Sequence, residues 1–521
     1  MARSIAQGLV AAASWVYPEI ASPCLPSKLA VGEQATSSVA AVRPKTLPPI
    51  QRRRSAAPVE VRVERQEPLA VVAGSASVLY LEGSVNVVGS SVRHLDVVLD
   101  ERSSPAILYT RARGHLVEEP SRTGFSALVA LEPRLGIAEY EIGIRVTFAG
   151  GSSSRVASGA TLLVVPPSPI ATSDVSPPPG SAPLIAICMA THEPKRELLE
   201  RQLESIRRQS YERFVCLISD DASSSQKWAD IQDVAARDHR FFPFRSSERV
   251  GFYRNFERCL RRVPAEARFV ALADQDDSWH ADKLAVLARS LDKTDALLAY
   301  CDMNIVSEDG SLLAPSYWVD RANNSTDLAS LLLMNTVTGA ASIFRRELLD
   351  DALPFPPELG RPYHDHWLAC VALALGEITY VDRRLQDYVQ HAGNVRGSYV
   401  ASSVFKSGLL RALLRLSVNP RKRTQNTLRN ARRTFFEDVL RIEVFGRTLE
   451  ARLSDRIGPS RRVGVRHLAR LSSSYQSLGW LVGRSVRDLR GASPTLGAEN
   501  QLAKGIVWRH LQALRLRSVR I

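Results

Sequence analysis

The strongest constraint on the fold is an alternation of apolar and amphipathic segments that begins near residue 184. LIAICMAT, FVCLISDD and RFVALADQDD are apolar runs, and the segments RELLERQLESIRRQS and FYRNFERCLRRV between them have apolar residues at helical spacing. Continuous apolar strands separated by helices predict a mostly parallel sheet that is covered on both faces. We therefore expect an α/β domain over residues 184–400.

Polar clusters follow each of the three apolar runs. They are Thr191-His192-Glu193 after the first, Asp220-Asp221 after the second, and Asp274, Asp276 and Asp277 after the third. Ligands bind at the carboxyl edge of such sheets, where the strands end. The sequence therefore predicts that these clusters meet at one edge and form the functional site.

The third cluster, in ALADQDDSWHADKL, predicts a cation site. Side chains two residues apart on an extended segment point the same way, so Asp274 and Asp276 can address one ion. We expect Asp277 to cap the helix that runs through Lys283. Hard carboxylate oxygens favour Mg²⁺ or Mn²⁺, and a bound cation removes the repulsion between the acids. For such a motif alone, a capped turn with two solvated aspartates is the alternative.

The flanking regions predict separate units. Residues 69–167 contain short apolar or alternating runs separated by Gly, Ser, Pro and Asp, which is typical of a β-sandwich that serves as an accessory module, carbohydrate-binding or merely a spacer. Residues 168–183 form a Pro/Ser-rich linker. The Ser/Pro-rich segment 1–68 is expected to be disordered.

Residues 401–521 contain 25 Lys and Arg against 7 Asp and Glu, whereas the whole chain has a net charge of +14. Leucine-rich helical periodicity with this charge predicts basic amphipathic helices, which suit an anionic membrane surface. A helical cap on the catalytic domain is the alternative. Nucleic acid attracts the same charges, but no RNA- or DNA-binding motif is present, so we expect none to bind.

The expected location is the cytoplasm, with peripheral contact at the inner face of the plasma membrane. The six cysteines form no CxxC pair and suit a reducing compartment. The first twenty residues resemble a signal peptide only faintly, and no window approaches the roughly 18 apolar residues of a membrane span.

Five segments, in order, resemble family 2 glycosyltransferases, especially their rhamnosyltransferase-like branch. They are ICMATHEP, ISDDASS together with VGFYRNFERCL, DQDDSWHADKL, NTVTGAASIFRRELL, and HDHW with the later QHAGN. The resemblance covers about residues 183–399 and implies the GT-A fold, a Rossmann-like mixed sheet. The family usually has Tyr-Asn where His192-Glu193 stand, and Gly where Ala222 stands.

The resemblance implies roles for single residues. Nucleotide-binding positions are Thr191, Glu193, Asp221, Arg254 and Asp274, with Asp221 at the pyrimidine ring and Arg254 near the diphosphate. The metal would be held by Asp274 and Asp276, with His391 as a further ligand.

Asp365 of HDHW occupies the family position of the general base, and an ordinary helix N-cap is the alternative for it. His-Asp pairs such as those in HDHW also hold metals in phosphohydrolases, but that class needs further His and Asp clusters on helices, which the sequence lacks. His364 and His366 are therefore expected to be acceptor-pocket or packing residues. Trp279 and Trp367 could either stack on sugars or pack in the core.

The resemblance and these residue roles together imply an inverting, Mn²⁺- or Mg²⁺-dependent transferase. It would move a sugar from a pyrimidine nucleotide-sugar, dTDP-rhamnose or a UDP-sugar, to a glycan or lipid-linked acceptor of the cell surface. The alternative is a catalytically inactive glycan- or membrane-binding protein with a transferase-like domain.

Overall fold

The computed structural model describes residues 59–87, 91–110, 123–167, 175–317, 323–391, 420–488, 495 and 497–518. They form an N-terminal β-sandwich, a central α/β domain and a C-terminal set of helices. Most of the segment 1–68, residues 168–174 of the linker and residues 392–419 lie outside the described residues.

The N-terminal unit consists of two facing sheets with a shared apolar core. One sheet has the strand order β1-β3-β7-β6 and the other β2-β9-β8-β4-β5. The strands are β1 Val59–Glu67, β2 Ala70–Val72, β3 Ser77–Val87, β4 Val92–Leu99, β5 Arg102–Pro105, β6 Ile107–Thr110, β7 Thr123–Leu131, β8 Ala138–Phe148 and β9 Ser153–Val165. The predicted sandwich is thereby confirmed.

The sandwich begins earlier than predicted, because β1 lies within the segment that we expected to be disordered. Its sequence VEVRVERQE alternates apolar and polar residues, and Val59, Val61 and Val63 pack against the sandwich core. β1 pairs with β3 over most of its length. This alternation is enough to form a half-buried edge strand. The strand was not predicted because the surrounding segment is rich in Ser and Pro, a composition typical of disorder.

The central domain contains one mixed sheet with the strand order β12-β11-β10-β13-β17-β15-β18-β14, and β16 pairs with β15. The strands are β10 Leu184–Thr191, β11 Phe214–Asp220, β12 Phe241–Arg245, β13 Ala267–Ala273, β14 Ser278–Trp279, β15 Leu298–Ser307, β16 Leu312–Ala314, β17 Ser342–Arg345 and β18 Ile378–Gln390. β10 to β13 are mutually parallel where they pair, whereas β17 runs antiparallel to both of its neighbours. The α/β prediction is confirmed.

Seven α-helices accompany this sheet within the described part of the domain. They are α1 Arg196–Arg207, α2 Ser225–Ala235, α3 Phe252–Leu260, α4 Lys283–Asp292, α5 Leu328–Leu333, α6 Leu348–Ala352 and α7 His364–Leu375. The strands β10, β11 and β13 are buried on both faces, as the apolar runs predict. Helix α7 is also buried over nearly its whole length.

The C-terminal helices cap the central domain. They are α8 Pro420–Thr434, α9 Leu440–Leu453, α10 Pro459–Leu468, α11 Tyr475–Asp488 and α12 Ala498–Ser518, with a π-helical turn, Phe435–Val439, between α8 and α9. Phe435 and Phe445 are fully buried in a core that also contains Tyr80 and Tyr109 of the sandwich and Trp367 of α7. The helical cap is therefore the arrangement that the described residues adopt.

Many of the C-terminal arginines serve this packing. Arg461 donates to the carbonyl oxygens of Leu373 and Gly376, and Arg447 pairs with the buried carboxylate of Glu443. Such guanidinium groups satisfy carbonyls and acids at an internal interface and are only partly exposed to solvent. The apolar face of α9, which belongs to the helical periodicity that suggested a membrane surface, packs inside the protein, whereas the leucine-rich residues 407–419 lie outside the described residues. Within the described ranges, no helix has the length and apolar character to cross a membrane.

Candidate active site

The structure brings the three predicted polar clusters to one edge of the sheet. β10 lies between β11 and β13, and all three strands run parallel. Thr191 is in register with Asp220, and Ala273, the last residue of β13, is in register with Met189. Each strand therefore delivers its polar residues at the same level.

Asp276 contacts His391 across this edge. The distance between His391 Nε2 and Asp276 Oδ2 is 2.7 Å, and both side chains are largely buried. Residue 391 directly follows β18, so the last strand of the domain brings the imidazole to the acids. A cation bound by both residues would require the Asp276 carboxylate and the His391 ring to lie close together in this way.

Asp274 lies in the same electrostatic environment. Burial, together with the carboxylates of Asp276 and Asp365, raises the pKa of Asp274 to about 7. Crowded, poorly hydrated acids of this kind release their protons readily only when a cation replaces them. The donor set thus fits a divalent ion.

No three His, Cys, Asp or Glu side chains within the described ranges form a complete metal-ligand group. Mg²⁺ and similar ions are commonly held by one or two carboxylates and completed by substrate phosphates. Cation binding by Asp274, Asp276 and His391 together with a phosphorylated substrate therefore stays a prediction.

Asp277 does not cap the following helix, contrary to our expectation. Helix α4 begins only at Lys283, its N-cap is Asp282, and the strand β14 intervenes. Asp277 is fully buried and its Oδ1 accepts a hydrogen bond of 3.2 Å from the Val389 amide. Burial and the neighbouring acids raise the pKa of Asp277 well above its usual range.

Lys283 is a buried cation beneath this acidic cluster. Its Nζ donates to the Ala340 carbonyl oxygen and to Gln386 Oε1, and it lies 3.6 Å from the centroid of the Trp279 ring. Burial lowers the pKa of Lys283 to about 7. Trp279 is thus a core residue under Lys283, and the sugar-stacking role that was open for it is not supported.

Gln275, the middle residue of DQD, joins the acids to the turn after β10. Its Oε1 accepts from the His192 amide at 2.8 Å, and its Nε2 donates to the His192 carbonyl oxygen at 3.3 Å. The His192 ring contacts the carbonyl oxygen of Asp221 through Nδ1 at 2.9 Å. All three loops at the sheet edge are therefore tied together.

Two positions at which the sequence departs from the family pattern adopt left-handed backbone. Glu193 has φ +45° and Ala222 has φ +55°, a region that favours Asn or Gly, the family residues at these positions. The Glu193 amide donates to Ser223 Oγ at 2.8 Å, and its Oε2 accepts from Ser224 Oγ at 3.2 Å. The turns thus keep their shape despite the substitutions.

Asp221 holds a loop. Its Oδ1 and Oδ2 accept from the amides of Val250 and Gly251 at 2.7 and 2.8 Å, just before α3. Each oxygen retains a further lone pair, so recognition of a pyrimidine ring stays a prediction. Thr191 is also buried, and its Oγ1 lies 3.2 Å from Asp220 Oδ1.

The Arg254 guanidinium is bonded away from the predicted metal ligands Asp274 and Asp276. Its guanidinium donates to Glu257 at 2.6 Å and to Glu67 of the sandwich at 3.0 Å. It also donates to the Pro356 carbonyl oxygen at 3.2 Å. The contact with a diphosphate that we predicted would require these bonds to open. A single helical segment cannot reveal this, because Glu67 is 187 residues away in the chain.

Asp365 lies at the start of α7 and is held by three N–H groups. Its Oδ1 accepts from Asn335 Nδ2 at 3.1 Å and from the His366 amide at 2.6 Å, and its Oδ2 accepts from the Gly339 amide at 3.0 Å. A Cβ atom on Gly339 would lie 2.9 Å from His364 Nε2 and 3.1 Å from Asp365 Cβ. Sequence reasoning assigned no role to Asn335 or Gly339, and no local pattern marks them.

The other HDHW side chains are structural. His366 and Trp367 are buried, and they contact the carbonyl oxygens of Leu331 and Ala352 at 2.8 Å each. The His364 ring stacks on Phe256 at 3.6 Å between centroids, and burial lowers the pKa of His364 to about 4. These contacts leave the histidines as packing residues and not as the ligands of a phosphohydrolase.

Residues 186–353 match the Glycosyl transferase family 2 model. Over 134 residues the chain is 28% identical to an uncharacterized protein, y4gI, of Sinorhizobium fredii, covering 25% of this chain and 14% of that protein. Over 161 residues it is 23% identical to TuaG of Bacillus subtilis, which is named as a teichuronic acid biosynthesis glycosyltransferase, covering 31% and 61%. The chain thus spans less than two thirds of the length of either curated relative.

Two solved structures align more distantly. Staphylococcus aureus TarS 1-349 in complex with UDP-GlcNAc shares 15% identity over 63% of this chain and 92% of that chain, with a TM-score of 0.36. Mannosyltransferase PcManGT from Pyrobaculum calidifontis in complex with GDP-Man and Mn²⁺ shares 16% over 67% and 91%, with a TM-score of 0.33.

The matched segment contains both DQD acids and the loops tied to them, whereas Asp365 and His391 lie beyond its end. Residues 186–353 of this chain are thus similar to family 2 glycosyltransferases, and they lie in the α/β domain between the N-terminal β-sandwich and the C-terminal helical cap.

Proposed function

We propose that this protein is an inverting, metal-dependent glycosyltransferase that uses a pyrimidine nucleotide-sugar, dTDP-rhamnose or a UDP-sugar. Its acceptor would be a glycan or lipid-linked glycan in cell-surface polysaccharide synthesis. The observation that carries the proposal is the meeting of Asp274, Asp276 and His391 with Asp365 at one sheet edge. An acid that could accept a proton thus faces a site that could hold a cation and a diphosphate.

The residues suggest a division of labour. When bound, a divalent cation would neutralise the negative charge that develops on the leaving diphosphate. Asp365 would accept the proton of the acceptor hydroxyl while the acceptor oxygen bonds to the anomeric carbon and the carbon–phosphate oxygen bond breaks. One displacement with one base gives inversion. Asn335 and Gly339 would keep the Asp365 carboxylate oriented for this transfer.

The departures from the family pattern do not favour an inactive protein. His192, Glu193 and Ala222 all lie in turns whose hydrogen bonds are intact. Nucleotide binding without turnover would nevertheless be the signature of the alternative, a transferase-like binding protein.

Donor turnover tests the proposal. The purified full chain with Mn²⁺ should release nucleoside diphosphate from dTDP-rhamnose, UDP-glucose or UDP-N-acetylglucosamine faster than from GDP-mannose. Asp365→Asn should slow release by about 10²- to 10⁴-fold, the usual worth of a general base. Asp276→Asn should raise the Mn²⁺ concentration needed for half-maximal rate by about 10- to 100-fold.

Asp282→Asn is the matched control, because Asp282 belongs to the same segment but forms an exposed pair with Arg383. It should leave the rate and the Mn²⁺ requirement unchanged. Absence of release with every donor, with cell-envelope acceptors present, would contradict the proposal.

We further propose peripheral contact of the C-terminal region with an anionic membrane. The outer faces of α11 and α12 expose apolar side chains at helical spacing. They are Tyr475, Val482 and Val486 on α11, and Val507, Leu511 and Leu514 on α12. Exposed apolar stripes on a basic region suit an interface rich in acidic lipids. Deletion of residues 401–521 would remove core residues, so single substitutions are the better probe.

Leu511→Glu should reduce sedimentation with phosphatidylglycerol vesicles, whereas Leu313→Glu, at an exposed leucine of β16, should not. Equal sedimentation of both variants, or equal binding to phosphatidylcholine vesicles, would contradict this contact.

A further inference from the structure

Helix α7, which begins at His364 and contains Asp365 in its first turn, packs against the C-terminal helices. Phe445 of α9 lies 5.3 Å from the His366 ring and 5.2 Å from the Trp367 ring, measured between centroids. At the opposite end of α7, Arg461 donates to the carbonyl oxygens of Leu373 and Gly376, both at 2.7 Å. The cap thus holds α7 at both ends.

His366 is fixed in one tautomer by this cap. Its Nε2 lies 2.8 Å from the Leu331 carbonyl oxygen, which can only accept, so Nε2 carries the proton. Its Nδ1 lies 3.0 Å from Arg441 Nη1, and a guanidinium can only donate. The ring is therefore neutral and bonded on both sides, once to the central domain and once to α9.

His366 is linked directly to the candidate base. Its backbone amide donates to Asp365 Oδ1 at 2.6 Å, so the position of His366 sets one of the three donors on the carboxylate. A change in the direction of the His366 ring would shift the first turn of α7.

The π-helical turn Phe435–Val439 comes just before Arg441. A π-turn inserts one extra residue into the helical path and changes the direction of every side chain that follows, and such turns are frequent at functional sites. In this chain Arg441 and Phe445, four residues apart, both contact the His366 ring.

We propose that Arg441 is a positioning residue for Asp365. Through His366 it holds the first turn of α7 so that the Asp365 carboxylate faces the acceptor hydroxyl. The inference rests on the proposed function and extends the site beyond residues 186–353, the segment that matches the family. The C-terminal cap is thereby part of the active site's support.

Steady-state kinetics of Arg441→Met test this inference, with Mn²⁺ and the donor that the wild-type protein turns over best. We expect kcat to fall about 10- to 100-fold, as small misplacements of a reacting group do. The KM for the donor should stay within about twofold, because Arg441 contacts His366 and Asp438, neither of which lies in the donor-side loops. Arg441→Lys keeps one donor to Nδ1 and should recover most of the loss.

The double variant separates positioning from general destabilisation. If Arg441 acts through Asp365, Arg441→Met should cost less than about twofold when added to Asp365→Asn, since groups that act as a unit are not additive. Arg456→Met is the control, because Arg456 belongs to the same helical region but pairs with Asp351 at the surface.

The inference is overturned if kcat of Arg441→Met equals that of the wild type, or if its loss multiplies with that of Asp365→Asn. Should Arg441→Met fail to fold, the same comparisons apply to Arg441→Gln, whose side chain is polar but shorter and uncharged. A wild-type protein that releases no nucleoside diphosphate refutes the proposed function instead, so the two failures are distinguishable.

Discussion

Removing the charge of Asp274 should stabilise the metal-free protein, and the gain should depend on pH. Asp274 has a pKa of about 7 in the folded protein because partial burial and the carboxylates of Asp276 and Asp365 disfavour its charged form. The usual value is about 3.9. Between these two values the folded chain keeps a proton that the unfolded chain has released, so stability falls as pH rises through this window.

The size of the stabilisation follows from the shift in the pKa of Asp274. Three pKa units correspond to a ceiling of about 4 kcal/mol, at 1.36 kcal/mol per unit. Asp274 is only half-buried, so we expect about 2 kcal/mol. For a domain of about 150–250 residues this amounts to roughly 4–8 °C in melting temperature.

Thermal melting in EDTA between pH 4 and pH 8 measures the effect. The advantage of Asp274→Asn over the wild type should grow from pH 4 to pH 7 and then level off. Lys283, whose pKa burial lowers to about 7, interacts electrostatically with Asp274, so its titration also contributes to the difference between the two proteins. Asp282→Asn, at an exposed acid, should give no such slope.

Saturating Mn²⁺ with UDP should narrow the difference, because a bound cation compensates the charge of Asp274 in the wild type only. A difference between the two proteins that does not change with pH would refute this account of the acidic cluster.

Three further perturbations have defined outcomes. Ala222→Gly should raise the melting temperature or leave it unchanged, with a gain in unfolding free energy of up to about 1 kcal/mol, because Ala222 has φ +55°. A clear loss of stability would show that the backbone at Ala222 is not strained. Gly339→Ala should abolish donor turnover, since its Cβ would press on His364 and Asp365, whereas Gly479→Ala on an open helix face should be harmless or stabilising. Glu67→Ala should lower the melting temperature by the equivalent of about 1–3 kcal/mol, because it removes one of the two carboxylates that pair with Arg254, while Glu132→Ala, which breaks a fully exposed pair with Arg102, should have no effect.

Local sequence patterns predicted much of the fold. Period-two alternation predicts the sandwich strands, and apolar runs separated by helical periods predict the sheet from β10 to β13. They also place Thr191, Asp221 and Asp274 at strand ends. The same reasoning failed for β1, where the surrounding composition outweighed a short alternation, and for Asp277, which follows an acid motif but is buried.

The sequence by itself determined which chemical groups stand at the ends of the strands, because side-chain period and strand length are local properties of the chain. Only the tertiary structure decided which distant partner each group meets. Asp276 meets His391, Arg254 meets Glu67, and Arg441 meets His366. Among 68 Lys and Arg residues, the choice between a solvated surface and an internal bond depends on burial and on contacts between residues far apart in the chain.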